Sequence, residues 1–370
     1  MEKQFLFVVW SKLLKSSLET KIMERGVFVR WNHWIFILIF SSPLVFANQG
    51  PGVLLDRANA LYQQSRFTQA IILYQKALLR GADPVAVSFN IGNSYYQLEK
   101  YPESLAAFRK SVDFSKGSFV PAIFNLASVY FRLKLYPESI AAYQRGLDIE
   151  PNHFSAWLFL GEAYHKIGDP VGALRAFNKA YELDPLDISV IYQVSEAHIA
   201  LEEFEKATDL VRKAFHQIPE EVDFLIYLGD IERLQKNMDA AASAYREALH
   251  LNPNQVDLLY KLADVLAENK QEYMAMEILN EALQIDSTYS DAAIFLGNLA
   301  YELRWWERAE EAYEQAAKLK NPEALYGLKN LAYEAQHSKN TKEALRLLKK
   351  TLFYYPQDAS IQAEILNWND

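Results

Sequence analysis

Apolar residues return along this chain at the spacing of one helix face. Ile123, Leu126, Ala127 and Tyr130 fall at i, i+3, i+4 and i+7, the pattern of an amphipathic helix. The pattern itself recurs. Small residues stand at Ala58, Gly92, Ala127, Gly161, Ser195, Gly229, Ala263, Gly297 and Ala332, always 34 or 35 residues apart. With this series set as position 8 of each unit, a second small series occupies position 20: Ala70, Ser104, Ser139, Ala173, Ala207, Ala241, Ala275, Ala309 and Ala344. Position 24 is large: Tyr74, Phe108, Tyr143, Phe177, Val211, Tyr245, Leu279, Tyr313 and Leu348. Position 27 is small again, from Ala77 and Ser111 to Ala316 and Thr351. Nine copies of one phrase predict nine pairs of helices. Small residues at 8 and 20 let the two helices of a pair approach closely, and the large side chain at 24 fills the space beside them.

Proline placement agrees. Pro84, Pro121, Pro151, Pro185, Pro219, Pro253, Pro322 and Pro356 fall at junctions between units, and Pro51 precedes the first. Pro102, Pro137 and Pro170 sit at the first turn of a second helix, where a missing N–H costs nothing.

The fourth unit carries Trp157 at position 4, Leu160 and Gly161 at 7 and 8, Tyr164 at 11, Ala173 at 20, Phe177 at 24, Ala180 at 27 and Pro185 at 32. With its 34-residue period this resembles the tetratricopeptide repeat (TPR). The resemblance spans residues 51–356 and departs from the pattern at position 17, where Glu272 and Thr341 replace the usual aromatic. It implies an all-α, right-handed superhelical solenoid of about nine helix–turn–helix units, with a concave groove built mainly by first helices. Residues 357–370 remain, and Ala359 to Trp368 is expected to form a short capping helix over the last unit.

The N-terminus reads differently. Arg25 and Arg30 precede the apolar run Trp34 to Phe40, which is followed by Ser41 to Ala47 with Val45-Phe46-Ala47 at its end. A basic region, a short apolar core and a Val-x-Ala end describe a secretory signal peptide over residues 1–47, cleaved after Ala47. Trp34 to Ala47 is 14 residues, short of the roughly 20 that a bilayer span needs; an uncleaved anchor is the alternative. Met23 opens a leader of ordinary length and is the expected true start. No stable membrane span is expected after cleavage.

Composition narrows the functions open to the chain. At 51% hydrophobic and 14% aromatic it is too apolar for a disordered polymer. The formal charge of −9 becomes −12 once residues 1–47 are removed, with 32 cations against 44 anions. That sign disfavours nucleic acid as a partner and disfavours docking on anionic lipid. Without cysteine there is no disulfide, zinc–thiolate site or cysteine nucleophile. No phosphate-binding glycine loop, Gly-x-Ser-x-Gly or His-Glu-x-x-His occurs, and the seven histidines are scattered. No catalytic residues, metal or cofactor are therefore expected, and glutamates on solvated helix faces need no catalytic explanation.

The resemblance implies that positions 2, 5, 6, 9, 12 and 13 face the groove. Three stripes appear there. Amides stand at Asn59, Asn90, Asn93 and Asn125; each offers a donor and an acceptor to the backbone of an extended peptide, a role that position 6 asparagines play in the family, or alternatively bonds only to neighbouring helices. Among the aromatics, Phe89, Phe124, Tyr192 and Tyr260 at position 5 are expected to pack between units, whereas Tyr62, Tyr96, Phe131 and Tyr301 at position 12 are expected to meet a ligand. Carboxylates line position 9 of four successive units at Glu162, Glu196, Asp230 and Asp264. They would favour a basic segment unless Lys166, Arg233 and Lys261 neutralise them. Pro121 and Asn125 replace the cations of the family's carboxylate clamp, so capture of a free C-terminus is not expected.

These readings converge on a non-enzymatic scaffold of the bacterial cell envelope, periplasmic or secreted, holding a segment of one or more envelope proteins in its groove. A carbohydrate- or peptidoglycan-binding module is the alternative, since aromatic and amide groups also suit sugar rings.

Overall fold

The computed structural model describes residues 50–369, so the proposed leader, Met23 and the cleavage point lie outside the described residues. Among the described residues every regular element is a helix, nineteen in all. The units are α1 (Pro51–Gln63) with α2 (Phe67–Leu79), α3 (Pro84–Gln97) with α4 (Tyr101–Phe114), and α5 (Val120–Arg132) with α6 (Tyr136–Ile149). Then come α7 (Phe154–Lys166) with α8 (Pro170–Leu183), α9 (Ile188–Ala200) with α10 (Phe204–Gln217), and α11 (Asp223–Leu234) with α12 (Met238–Leu251). The last are α13 (Val256–Glu268) with α14 (Glu272–Ile285), α15 (Ser290–Glu302) with α16 (Trp306–Lys318), and α17 (Glu323–His337) with α18 (Thr341–Tyr354), followed by α19 (Ala359–Asn369). Helices pack chiefly on their neighbours in the chain, which is the quasi-one-dimensional logic of a solenoid.

The small positions do the steric work expected of them. Every residue at positions 8, 20 and 27 is buried. A Cβ placed on Gly92 would lie 2.6 Å from the Phe108 ring; on Gly161, 2.4 Å from Phe177; on Gly229, 2.3 Å from Tyr245; and on Gly297, 2.5 Å from Tyr313. In those four units the ring at position 24 thus rests on the bare Cα of position 8 across the helix pair. Serines at position 20 satisfy the same close approach with a hydrogen bond: Ser104 Oγ donates to the Gly92 carbonyl and Ser139 Oγ to the Ala127 carbonyl, both at 2.9 Å.

The turn between the helices of a unit has one form throughout. Position 15 takes positive φ in all nine units: Ser65, Glu99, Lys134, Gly168, Glu202, Lys236, Lys270, Arg304 and Lys339, between 58° and 74°. The next N–H reaches back to the carbonyl of position 11, as in Arg66 to Leu61, Asn237 to Glu232 and Trp305 to Ala300, at 2.8–2.9 Å. That is the Schellman closure, which satisfies carbonyls at the helix end. Only one of the nine is glycine, although the left-handed region costs other residues about 1–2 kcal/mol; the closing bonds and the packed helix pair hold the conformation.

The C-terminal end is fastened by charge and by a cap. Glu314 accepts from Lys350 Nζ and from the Tyr354 hydroxyl, each at 2.7 Å, and Glu310 accepts from Arg346 and Lys350, joining α16 to α18. The cap α19 buries Ile361 completely in the core shared by units 6–9. Its Glu364 accepts from Tyr333 at 2.8 Å and pairs with Lys329 at 3.0 Å.

Two predictions follow from packing and charge. Gly161→Leu forces side-chain carbons into the Phe177 ring and should destabilise the chain by about 1–3 kcal/mol, read as a lower urea midpoint with faster amide exchange centred on α7 and α8. Hydrogen bonds from Lys350 and Tyr354 hold the Glu314 carboxyl at about 2, below its ordinary 4.5. A depressed carboxylate contributes stability above its unfolded value that is lost as pH falls through the folded value. Between about pH 4.5 and 2 the melting temperature should therefore drop, and it should drop less in Lys350→Met, the two curves converging near pH 2 in circular-dichroism melts.

Candidate functional site

The first helices carry the candidate groups, and their side chains form a bonded ladder rather than a set of free donors. The first rung lies within units. Where position 24 is tyrosine, its hydroxyl passes out of the core to the position 9 side chain. Tyr74 donates to Asn59 Oδ1 at 2.6 Å, Tyr245 to Asp230 Oδ1 at 2.6 Å and Tyr313 to Asn298 Oδ1 at 2.8 Å, while Ser128 Oγ and the Tyr143 hydroxyl lie 2.8 Å apart.

A second rung joins units. Position 6 of one unit donates to position 9 of the unit before it: Asn125 Nδ2 to Asn93 Oδ1 at 2.8 Å, the Tyr227 hydroxyl to Glu196 Oε1 at 2.6 Å, and Lys261 Nζ to Asp230 at 2.8 Å. Arg233 pairs with Asp264 and donates to Glu268. Among the acids proposed to receive a basic ligand, Asp230 and Asp264 are thus in ion pairs within the protein and Glu196 is bonded to a phenol. Glu162 is half-buried, and Lys166 forms no ion pair among the described residues.

Burial and these carboxylates act on the phenols together. Tyr227 is pushed well above its ordinary range by burial and by its bond to Glu196, and Tyr245 by burial and by its bond to Asp230. Burial, with Glu221 and Asp223 nearby, raises Tyr192 to about 12. Each phenol stays protonated across the physiological range, and Tyr227 and Tyr245 therefore stay donors. The Arg233 guanidinium is held above its usual value mainly by the Glu268 bond.

The position 12 rings have a neighbour of their own. Tyr62, Tyr96, Phe131 and Tyr301 are half-buried and stand edge-to-face on the position 17 rings Phe67, Tyr101, Tyr136 and Trp306, with centroids 5.2–5.6 Å apart and planes at 67–69°. Such pairs add about 0.5–1.5 kcal/mol beyond area burial, so these rings also brace the turn. Tyr96 accepts from Arg132 Nε at 3.1 Å, and burial raises the Tyr62 phenol. At position 5, Phe89 and Phe124 are buried and Tyr192 and Tyr260 half-buried.

Of the four amides, Asn59, Asn93 and Asn125 hold side-chain hydrogen bonds to other side chains of the chain. Asn90 is half-buried on α3 and makes no side-chain hydrogen bond among the described residues; its backbone carbonyl accepts from Ser94 Oγ at 2.8 Å. Among the described residues no group of His, Asp and Glu is arranged to hold a metal ion, and no helix is long and apolar enough to cross a membrane.

A family model described as the tetratricopeptide repeat matches residues 55–119, 124–188, 192–256 and 239–290, which is more than half of the chain. The chain belongs to the tetratricopeptide repeat family. Repeats of this family generally mediate protein–protein interaction and are typically non-enzymatic scaffolds. Among solved structures, the C-terminal part of a TPR repeat-containing protein from Cytophaga hutchinsonii is 15% identical over 74% of this chain and 98% of its own, with a TM-score of 0.52. A tetratricopeptide repeat protein from Parabacteroides merdae is 14% identical over 69% of this chain and 100% of its own, with a TM-score of 0.47. MamA protein is 20% identical over 47% of this chain and 94% of its own, with a TM-score of 0.44. At such identities the likeness is one of fold. No curated protein matches the sequence.

Asp230 is the acceptor with the most partners in this ladder, and its removal tests whether the ladder is structural. Asp230→Ala leaves the Tyr245 hydroxyl and the Lys261 ammonium without their acceptor and should cost about 1–3 kcal/mol. Tyr245→Phe should cost about 1 kcal/mol, and the double variant less than the sum of the two in urea denaturation, because both remove the same bond.

Proposed function

We propose that this protein is a non-enzymatic scaffold of the bacterial cell envelope and holds an extended partner segment along the first helices of units 1–3. The observation that carries the reading is Asn90: an amide at position 6, half-exposed and unbonded, beside amides already engaged with their neighbours. A carboxamide presents a donor and an acceptor at once and so pairs with a peptide backbone whatever its side chains. The charge of this stretch fits the same partner. Helices α1, α3 and α5 carry only Asp56, Arg57 and Arg132, so recognition there rests on amides and aromatic rings rather than on ionic attraction.

The envelope assignment rests on the leader pattern of residues 1–47. A basic ligand for units 4–7 is the less favoured occupant of the groove, because Lys261 and Arg233 already pair with Asp230 and Asp264.

Asn90→Ala tests the site with little risk to the fold, since no side-chain bond among the described residues is lost. The experiment is a cross-linking pull-down from intact envelopes, wild type beside Asn90→Ala, read by mass spectrometry. A partner recovered with the wild type and lost with the variant supports the reading. An unchanged partner list, with the variant's helical circular dichroism intact, removes Asn90 and units 1–3 from the binding surface.

A further inference from the structure

We propose that the rim formed by the inter-helix turns of units 6–9 docks on an anionic lipid bilayer. The surface lies at positions 14–17 of each unit, on the turns that join first to second helices, and is independent of the amide site on α3.

Four successive units place a cation at the left-handed turn residue: Lys236, Lys270, Arg304 and Lys339, all exposed. None forms an ion pair among the described residues. Positions 14–17 of these four units hold one acid, Glu272, against the four cations. The same positions in units 1–5 hold three cations and four acids, so the excess belongs to this end of the chain. Asp239, Glu268, Glu302 and Glu307 flank the turns on the adjoining helical residues, with Lys342 beside them; Asp239 accepts from Asn269 at 2.8 Å and Glu268 is paired with Arg233.

The aromatic content of the rim rises in the same units. Trp305 and Trp306 stand on one turn, 37% and 39% exposed, and Tyr273 of the preceding unit, 58% exposed, lies 5.2 Å from Trp305 between ring centroids. Position 16 is polar or charged in seven of the other eight units, so an indole there answers no demand of the turn. The Arg308 guanidinium lies 5.8 Å from the Trp305 ring.

Exposed Trp and Tyr beside Lys and Arg are the side chains that settle at a membrane–water interface, and apolar insertion with basic attraction supplies the two signals that stable peripheral binding requires. First helices of adjacent units are neighbours, bonded from position 6 to position 9, so with helix axes about 8–10 Å apart the four cations form a row on the order of 30 Å long at projecting turn tips. The net charge of −9 opposes approach from afar. At contact, acids more than a Debye length of about 8 Å away are screened, and the turn cations with Lys342 act against Glu272 and the flanking Asp239, Glu268, Glu302 and Glu307 alone.

The substitutions are chosen from residues this chain already accepts at the same places. Glu99 and Glu202 occupy the left-handed turn position in units 2 and 5, and Asn237 and Asn340 occupy position 16 in units 6 and 9. The full chain, as parent, Lys270→Glu/Arg304→Glu and Trp305→Asn, is floated with vesicles of phosphatidylcholine alone or with about a third phosphatidylglycerol. All three proteins carry the same N-terminal residues, and circular dichroism confirms equal helix content. The parent should prefer the anionic vesicles and be released by salt. The charge-reversed variant should lose that preference by about tenfold or more, at about 1 kcal/mol per cation. Trp305→Asn should bind both vesicle types more weakly. Equal partition of parent and charge-reversed variant, or no preference for anionic lipid, overturns the proposal. So does capture of a polyglutamate peptide by the parent that vesicles fail to displace, which would assign the rim to an acidic protein segment.

Discussion

The ring at position 24 resting on the bare or nearly bare Cα of position 8 is the constraint from which the rest of this solenoid follows. It fixes how closely the two helices of a unit approach, and in the four glycine units it leaves no room for a side chain on the facing helix: even a Cβ on Gly229 would lie 2.3 Å from Tyr245. A core packed to that tolerance transmits its residue choice outward. Where the ring is tyrosine, the hydroxyl emerges opposite position 9 and requires an acceptor or a partner, met by Asn59, Ser128, Asp230 and Asn298. Where it is Phe108, Val211 or Leu279, position 9 bonds to the adjoining unit instead, through Asn93 with Asn125, Glu196 with Tyr227 and Asp264 with Arg233. A choice made in the core therefore decides whether position 9 is tied within its own unit; Asp230, which also accepts from Lys261 of the next unit, carries both ties at once.

That ladder gives the nearest-neighbour coupling of a repeat protein a polar component in addition to apolar burial. Its members differ in worth. Bonds to buried phenols, such as Tyr245 to Asp230, are costly to break because the hydroxyl has nowhere else to turn. Ion pairs such as Lys261 with Asp230, each about two-fifths exposed, contribute less because water competes for both charges. After unit 9, α19 packs where the first helix of a further unit would lie: Ile361 fills the apolar face while Glu364 meets Tyr333 and Lys329.

The repeat and its helix pairs were legible in the sequence because they are written in residue size at a fixed step, and steric demand at positions 8, 20 and 27 permits few substitutes. The capping helix was legible for a related reason, an apolar face left over after the last unit. The turn was not. Its left-handed residue is Ser, Glu, Lys, Gly or Arg, so the usual glycine signal is present only at Gly168; the conformation is imposed by closing bonds and packed helices rather than by the residue. Side-chain destinations were legible only in part. Asn125 and Asn93 are 32 residues apart in the chain, and only the stacking of two units brings them together. The position 12 rings look alike in sequence whether they meet a ligand or the position 17 ring that they touch here. The leader pattern lies outside the described residues.

Internal use of polar groups is also what makes a groove selective. A side chain held by its neighbours is pre-ordered but has less hydrogen-bonding capacity to offer, and a partner that takes it must replace the bond it breaks. By that measure the acidic units are poor hosts despite their charge, because Asp230 and Asp264 would have to surrender Lys261 and Arg233. The exposed surface of α3 sits differently. Asn90 is positioned by Ser94's bond to its carbonyl and by the buried Phe89 and Ile91 on either side, yet its carboxamide has no internal bond to give up among the described residues. On the proposed reading, an incoming backbone there would break no side-chain hydrogen bond of the described residues. Orientation supplied by the core, with the carboxamide left unbound, is the arrangement in which the ordering cost of the proposed recognition would largely be met by folding.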